Sequence, residues 1–182
     1  MPENIDSEIY LFADDTKLFR EIKTDEDKKI LQNVLTKLME WSKTWLLKFH
    51  PEKCRILDIN LHDRQRNDYY IDETRIDHSE CEKDLGIYID NKLKFNTHIG
   101  NKVNKANGIL GAIRRAFSYL DKNSFLKLYT SLVRPHLEYR NPVWSPRLIK
   151  DIITIENVQR RATKMIAEIQ DLSYKDRLKY LK

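Results

Sequence analysis

Two adjacent aspartates, Asp14 and Asp15, are the residues of this chain best suited to chemistry. Apolar, strand-like residues flank them at positions 9–13 and 18–19. Because the side chains of a strand alternate between two faces, the acids interrupt a buried strand and predict a tight hairpin with both carboxylates at its tip. Carboxylates on a rigid turn commonly hold Mg²⁺ against substrate phosphates. An Asp-Asp pair alone is more often an ordinary surface turn, and the apolar flanks are what favour metal binding.

A long helix is predicted to follow this hairpin and to support it. Thr24 is a favourable N-cap, and the acidic residues 25–27 oppose the positive end of the helix dipole. Apolar residues then recur at helical spacing, so we predict an amphipathic helix over residues 25–47. Pro51 prevents the helix from continuing.

Short strands are predicted after this helix, with a polar tip at 62–68 and a turn at 72–73. The strands are expected at residues 54–59, 69–71, 74–76 and 84–89. Gly86 indicates a bulge or a close backbone approach. The fold class is therefore α+β, with a small antiparallel sheet and a long covering helix over residues 1–90.

The pattern changes to helices alone after residue 91. Apolar residues from Ile99 to Leu120 follow helical spacing, and Asp121 is a predicted N-cap of the next helix. Three prolines interrupt a connection over residues 135–146. A third helix is expected over 152–166, and a short fourth helix near Ser173.

The charge of the chain divides at the same place. Residues 1–90 carry 14 Lys and Arg against 21 Asp and Glu, whereas residues 91–182 carry 19 against 7. The second half is therefore a candidate phosphate-binding surface. The alternative is a solvated helical face that binds nothing.

Other features of the composition exclude several protein classes. No apolar run is long enough to cross a membrane, and the N-terminus does not have the character of a signal peptide. Cys54 and Cys81 have no paired spacing, which suits a reducing, intracellular compartment and argues against disulfide or zinc sites. The five scattered histidines are expected to be surface or packing residues.

Four segments together resemble one protein family. The Phe-Ala-Asp-Asp sequence at 12–15 resembles the Tyr/Phe-Ala-Asp-Asp box of reverse transcriptases, most closely that of non-LTR, LINE-type (jockey-like) retrotransposons. The family continues with a Pro-Glu-Lys segment, here 51–53, and a Leu-Gly strand, here 84–89. A Leu-Glu-Tyr…Pro-Val-Trp-Ser-Pro segment follows, here 137–146. The resemblance covers nearly the whole chain in the expected order.

The resemblance implies a partial polymerase palm over residues 1–90 and an all-helical, thumb-like region over 91–182. The activity would be RNA-directed DNA synthesis by a two-metal mechanism, with Mg²⁺, an RNA template, a DNA primer and a dNTP. Asp14 and Asp15 would hold the metals, with Asp14 the more direct ligand. Lys53 would approach the triphosphate and donate a proton to the pyrophosphate. Without the resemblance, Lys53 is equally well explained as a surface lysine.

Further roles follow from the same resemblance. Leu85 and Gly86 would help to position the primer, where the alternative is ordinary strand packing. Candidate contacts to nucleic-acid phosphates, which would be salt-sensitive and independent of sequence, come from the basic helices. The stronger candidates are Lys102, Lys105, Arg114 and Arg115, and the weaker are Arg160, Arg161 and Lys164.

The chain departs from the family pattern at its start. The family's palm has a third carboxylate on a strand before the hairpin, a glycine-containing nucleotide pocket and a fingers region, which we expect to be missing. Because Mg²⁺ demands near-octahedral coordination, we expect little or no polymerase activity from the isolated chain. A hairpin without that strand would expose a sheet edge and an apolar face, so the helical half should be better ordered.

Two other functions remain open from the sequence. The basic helices alone predict a nucleic-acid-binding module without catalysis. A small helical interaction protein, in which the Asp-Asp pair is only a turn, is also compatible with the pattern.

Overall fold

The computed structural model describes residues 6–47, 49–59 and 66–182. They form an α+β structure with two compact units, Met1–Glu82 (unit 1) and Lys83–Lys182 (unit 2). The division falls after Glu82, whereas the sequence places it after residue 90.

Some predictions lie outside the described residues, namely the N-terminal residues 1–5 and most of the polar tip, at 62–65. The palm and thumb assignments stay predictions. Within the described part of the chain, no helix combines the length and the apolar character that crossing a membrane requires.

The predicted hairpin is present at the start of unit 1. Strands β1 (Glu8–Phe12) and β2 (Asp15–Phe19) pair antiparallel. The turn consists of Ala13 and Asp14 alone, and Asp15 already pairs with the last residue of β1. Asp14 therefore lies in the turn itself and Asp15 is the first residue of β2 directly beside it, so both aspartates belong to the tip of the hairpin.

The apolar surface of this hairpin is exposed, as the sequence predicts. In the described part of the chain, β1 and β2 pair only with each other. The large side chains of Tyr10, Leu11, Phe12 and Phe19 are each more than half exposed. Both an unpaired strand edge and an uncovered apolar face are thus confirmed.

Helix α1 (Asp25–Thr44) begins at the predicted N-cap. The Thr24 hydroxyl accepts a hydrogen bond from the Asp27 amide (3.2 Å), and the Asp27 carboxylate accepts one from the Thr24 amide (2.9 Å). This reciprocal pair satisfies two amides that the helix itself leaves unpaired. The helix ends at Thr44 rather than at residue 47, and Leu46 takes a left-handed φ of 56°.

The other strands of unit 1 do not form the single antiparallel sheet that the sequence predicts. Strands β4 (Tyr70–Ile71) and β5 (Thr74–Arg75) make the expected hairpin, but β3 (Arg55–Leu57) pairs parallel with β6 (Asp77–Ser79). The prediction is wrong because a parallel pair joins distant segments, for which no local turn signal exists.

The predicted covering helix packs on a small core in unit 1. The side-chain amide of Gln32 in α1 donates to the Tyr70 carbonyl (2.8 Å) and accepts from the Tyr70 amide (2.9 Å). The helix thus takes the place of a neighbouring strand. Met39 of the helix forms a buried cluster with Tyr69, Ile71 and Ile76.

Strands β7 (Cys81–Asp84) and β8 (Ile87–Asp90) form a hairpin at the start of unit 2. Leu85 and Gly86 between them have left-handed φ values of 44° and 85°. A pair of positive φ values is typical of a two-residue hairpin turn. The single strand predicted over 84–89 is therefore wrong, because its glycine makes a turn.

Helices form the rest of unit 2. They are α2 (Asn96–Ala116), α3 (Lys122–Leu128), α4 (Arg134–Glu138), α5 (Asn141–Trp144), α6 (Ile149–Thr163) and α7 (Tyr174–Leu181), with a π-helical segment, Tyr129–Val133, between α3 and α4 and a 3-10 turn, Ala167–Ile169, after α6. The predicted cap Asp121 accepts hydrogen bonds from amides of the helix that it begins, and Ser173, near which the fourth helix was expected, accepts one as the N-cap of α7. The predicted connection is partly helical, because Pro135 and Pro142 lie in the first turns of α4 and α5, where proline is tolerated.

One apolar core runs through unit 2. It extends from Ile87 in β8 through Ile99 and Phe125 to Val158 in α6. Helix α7 contacts α6 through Arg177, which is 3% exposed and donates a hydrogen bond to the Thr163 hydroxyl (3.0 Å). This packing fixes the helices whose outer surfaces carry the basic residues.

Candidate nucleic-acid interface

The hairpin tip presents both aspartates to solvent. Ala13 has a φ of 52°, a left-handed conformation that costs roughly 1–2 kcal/mol for a residue with a Cβ. The five paired positions of β1 and β2 hold this turn in place. Asp14 and Asp15 are both exposed, so their carboxylates can reach a cation or a phosphate-bearing ligand.

The donor chemistry of the tip fits Mg²⁺. This ion is usually bound through one or two carboxylates and completes its shell with water and substrate phosphates. Across residues 6–47, 49–59 and 66–182, no three His, Cys, Asp or Glu side chains lie close enough to form a metal site. The tip therefore supplies two carboxylates, and further oxygens must come from elsewhere.

Lys53 lies at the end of a 3-10 turn, Pro51–Lys53, just before β3. Its side chain is exposed and lines a shallow surface groove with His50, Glu52 and Thr74. Neither aspartate of the hairpin tip lines this groove. The structure thus leaves the predicted role of Lys53 toward a triphosphate as a prediction.

The Leu85–Gly86 turn in unit 2 is in direct contact with Tyr139. The Tyr139 hydroxyl donates a hydrogen bond to the Leu85 carbonyl (3.1 Å). A Cβ placed on Gly86 would lie 3.3 Å from Cε1 of Tyr139, so the ring packs where only glycine leaves room. The group that approaches this glycine is a side chain rather than the backbone that the sequence suggested, and the contact joins the Leu-Gly and Leu-Glu-Tyr segments of the sequence.

Positively charged groups surround the same tyrosine. Lys102 Nζ lies 5.5 Å from the Tyr139 ring centroid, and Arg140 Cζ lies 5.6 Å from it. Lys83 Nζ lies 5.9 Å from the ring of Tyr88 in the adjoining strand. We call the following set the Tyr139 cation cluster: Lys83, Lys102, Lys105 and Arg140.

The members of this cluster oppose one another electrostatically. Burial, followed by the charges of Lys105 and Lys83, lowers the pKa of Lys102. Burial, followed by the charges of Lys105 and Lys102, lowers the pKa of His136. A nearby like charge disfavours the charged form of a group, whereas an anion favours it. The cluster is therefore a surface that an anion would stabilise.

The other predicted cations lie in different surroundings. Arg114 and Arg115 are exposed at the end of α2. Arg160 lies over the Tyr174 ring, 4.7 Å from its centroid, and Arg161 donates to Asn107 Oδ1 (3.2 Å). Lys164 follows α6 and is exposed. Of the seven candidates, the structure brings Lys102 and Lys105 together, while Arg160 and Arg161 take part in packing unit 2.

Known proteins provide an independent comparison. Over 163 residues, 85% of this chain, it is 23% identical to a probable RNA-directed DNA polymerase from transposon X-element of Drosophila melanogaster. The chain is distantly similar to a transposon reverse transcriptase. It is also 33% identical over 98 residues, 52% of its length, to an uncharacterized protein of Caenorhabditis elegans. No protein-family model and no solved structure matches it.

The chain spans only part of these relatives. The aligned region is 18% of the transposon polymerase and 50% of the nematode protein. The similarity supports the reverse-transcriptase relationship expected from the four sequence segments.

Several residues of the cluster were missed as site residues from sequence. Tyr139 belongs to a segment that resembles reverse transcriptases, but its contact with Gly86 joins elements far apart in the chain. Lys83 precedes the Leu-Gly turn, and Arg140 follows Tyr139 directly. A basic residue beside each of two family-like segments is the signal that could have identified them.

Proposed function

We propose that this chain is a segment of the reverse transcriptase of a non-LTR, jockey-like retrotransposon and that unit 2 binds the backbone of its primer–template duplex. The observation that carries the proposal is the position of Tyr139. Its side chain joins the Leu85–Gly86 turn to Lys102 of α2, so a family-like turn lies beside concentrated positive charge. The similarity to a transposon RNA-directed DNA polymerase supports the same reading.

Phosphate is the anion that best suits the Tyr139 cation cluster in such a protein. Lysines bind phosphates as point charges, and the gain is larger where the ammonium is already partly withdrawn from water, as for Lys102. Contacts of this kind fix the position of a duplex without reading its sequence. Arg114 and Arg115 would extend the contact along α2.

The hairpin tip would serve catalysis in the whole polymerase. Asp14 would be the more direct Mg²⁺ ligand, with Asp15 beside it, and the bound metal would activate the primer hydroxyl and neutralise the pyrophosphate. Lys53 would donate a proton to the pyrophosphate of the incoming dNTP. Two carboxylates do not by themselves fix a pair of Mg²⁺ ions, so the isolated chain should polymerise little or not at all.

Binding of a labelled RNA–DNA hybrid, measured between about 50 and 200 mM salt, tests the nucleic-acid role. Changing Lys102→Gln together with Lys105→Gln should weaken binding at least fivefold, and should lower the slope of log affinity against log salt by roughly 1 per lost phosphate contact. Lys127→Gln, an exposed lysine on α3 outside the cluster, is the matched control and should bind like the wild type. Equal losses in the cluster and control variants would contradict the proposal.

Primer extension tests the hairpin. The purified chain should extend a primer on an RNA template weakly or not at all at any Mg²⁺ concentration. Robust extension that disappears with Asp14→Ala would show that two carboxylates suffice, and would overturn the expectation of inactivity.

A further inference from the structure

One buried polar side chain beneath the Tyr139 cation cluster has no part in the proposed contacts with phosphate. His98, in the first turn of α2, is fully buried. Its Nδ1 accepts a hydrogen bond from the backbone amide of Tyr88 in β8 (3.2 Å). Its Nε2 has no hydrogen-bond partner in the described part of the chain. A nitrogen that accepts carries no proton, so the neutral ring holds its proton on Nε2.

Contacts from His98 lead back to the same hairpin by a second route. The imidazole packs against the Trp144 ring, with centroids 4.9 Å apart. The Trp144 indole donates to the Tyr139 carbonyl (2.7 Å), and the Tyr139 hydroxyl donates to the Leu85 carbonyl (3.1 Å). These contacts form a closed circuit that runs from Tyr88 through His98, Trp144 and Tyr139 to Leu85, which lies in the same hairpin as Tyr88. Among these five residues, His98 is the one on α2.

The position of His98 along α2 connects this circuit to the cations. Lys102 follows it by four residues, and side chains four apart lie on the same face of a helix. Whatever fixes His98 against the hairpin therefore also fixes the face from which Lys102 reaches the Tyr139 ring.

We propose that His98 is a positioning residue for the Tyr139 cation cluster, acting as a neutral hydrogen-bond acceptor that fixes α2 against the β7–β8 hairpin. The proposal rests on the proposed nucleic-acid function and deepens it. His98 itself does not touch phosphate. It fixes the positions of Lys102 and Lys105 relative to the Leu85–Gly86 turn, so that the site for the duplex backbone is already formed before the duplex binds.

Two substitutions distinguish the contribution of the hydrogen-bond acceptor of His98 from that of the volume of its ring. In His98→Asn, the amide oxygen stands near the position of Nδ1 and can accept the Tyr88 amide. In His98→Phe, a ring fills the space without any acceptor. Binding of the RNA–DNA hybrid by the full chain should fall about tenfold with Phe and recover to within about threefold of wild type with Asn. Equal affinities for the two variants would overturn the proposal.

A second readout does not require nucleic acid. The Tyr139 ring should shift the Lys102 Hε resonances upfield, and this shift should persist in His98→Asn and be lost in His98→Phe. If the wild type fails to bind the hybrid but the shifts follow this pattern, the proposed function fails while the positioning role stands.

The wild type provides a test that does not depend on folding of the variants. Its imidazole nitrogen resonances at neutral pH should show the neutral Nε2–H tautomer, and the Tyr88 amide should exchange slowly. A protonated ring or the Nδ1–H tautomer would overturn the proposal, because neither leaves Nδ1 free to accept.

Discussion

The acidic hairpin of unit 1 and the Tyr139 cation cluster of unit 2 differ in how much packed apolar core lies behind them. The hairpin has two strands, and four of their large apolar side chains are more than half exposed. The cation cluster stands on a continuous core to which fifteen of the described residues belong, against four in the core of unit 1. Burial of apolar surface is the dominant favourable term in folding. We therefore expect the surface proposed to bind nucleic acid to be more stably folded than the hairpin that carries Asp14 and Asp15.

The two sites also differ in how many of the groups that they need lie close to them. The contacts of Tyr139 with Leu85, Trp144 and Lys102 lie within unit 2. The hairpin tip has two carboxylates and an uncovered apolar face. A binding role can thus be tested on this chain directly, whereas the catalytic role needs additional ligands.

Hydrogen exchange should show the largest difference between the two regions. Amides of β1 and β2 should open with a free energy near zero, while those in the middle of α2 should approach the global unfolding free energy, on the order of 5 kcal/mol or more. Exchange measured by NMR or mass spectrometry resolves the two segments. Stronger protection over residues 8–20 than over 97–134 would reverse the comparison.

Removing Trp144 should cost unit 2 about 3–5 kcal/mol, because the variant Trp144→Ala empties a site that is 2% exposed and deletes a hydrogen bond. Trp45→Ala is the control, since this ring is 65% exposed and should matter by less than about 0.5 kcal/mol. Urea unfolding followed by circular dichroism measures both changes. Comparable losses would mean that the core of unit 2 does not dominate its stability.

Acid should weaken unit 2 through His98. Burial, followed by the charge of Lys102, lowers the pKa of His98 to about 4 from its ordinary value of 6.5. Between these values the unfolded chain binds a proton that the folded chain does not, so stability is lost as pH falls through this window. The loss is about 3 kcal/mol and is absent above pH 6.5.

The variant His98→Asn isolates this contribution, because other acid-sensitive groups are unchanged. Unfolding free energies measured at pH 7 and pH 4.5 should differ more for the wild type than for the variant. Parallel pH profiles would show that His98 does not titrate in this window.

Local signals in the sequence predicted much of the fold. Alternation around the aspartates predicted the hairpin, and Thr24 and Asp121 were identified as caps because their side-chain oxygens can accept hydrogen bonds from helix amides. Each of these features depends on residues close together in the chain. The parallel pairing of β3 with β6 depends on distant segments and was missed.

The residues of the candidate site could likewise be predicted only where a local motif or the charge pattern indicated them. Asp14, Gly86 and Lys102 could be named from motifs and charge. The contact of Lys102 with Tyr139 joins separate helical segments, and the contact of Arg160 with Tyr174 depends on how α7 packs. Charge alone cannot tell a cation that faces a ligand from one that packs against a neighbouring ring, so tertiary contacts decided between them.

Removal of a helix N-cap should have the smallest effect on stability, and it tests whether the two units unfold separately. Thr24→Ala deletes the capping box of α1 in unit 1, and Asp121→Ala deletes the cap of α3, whose carboxylate accepts from the amides of Asn123 (2.9 Å) and Ser124 (3.1 Å). Each should cost about 1 kcal/mol. Because each unit has its own core, each loss should lower the unfolding midpoint of its own unit alone.

Tryptophan fluorescence can follow the two units separately, since Trp41 and Trp45 lie in unit 1 and Trp144 in unit 2. A background with Trp144→Phe reports on unit 1, and one with both other tryptophans replaced by Phe reports on unit 2. If either cap variant moves both transitions equally, the chain unfolds as one cooperative structure. In that case the weaker order of the hairpin would be a local property of β1 and β2 rather than a property of unit 1.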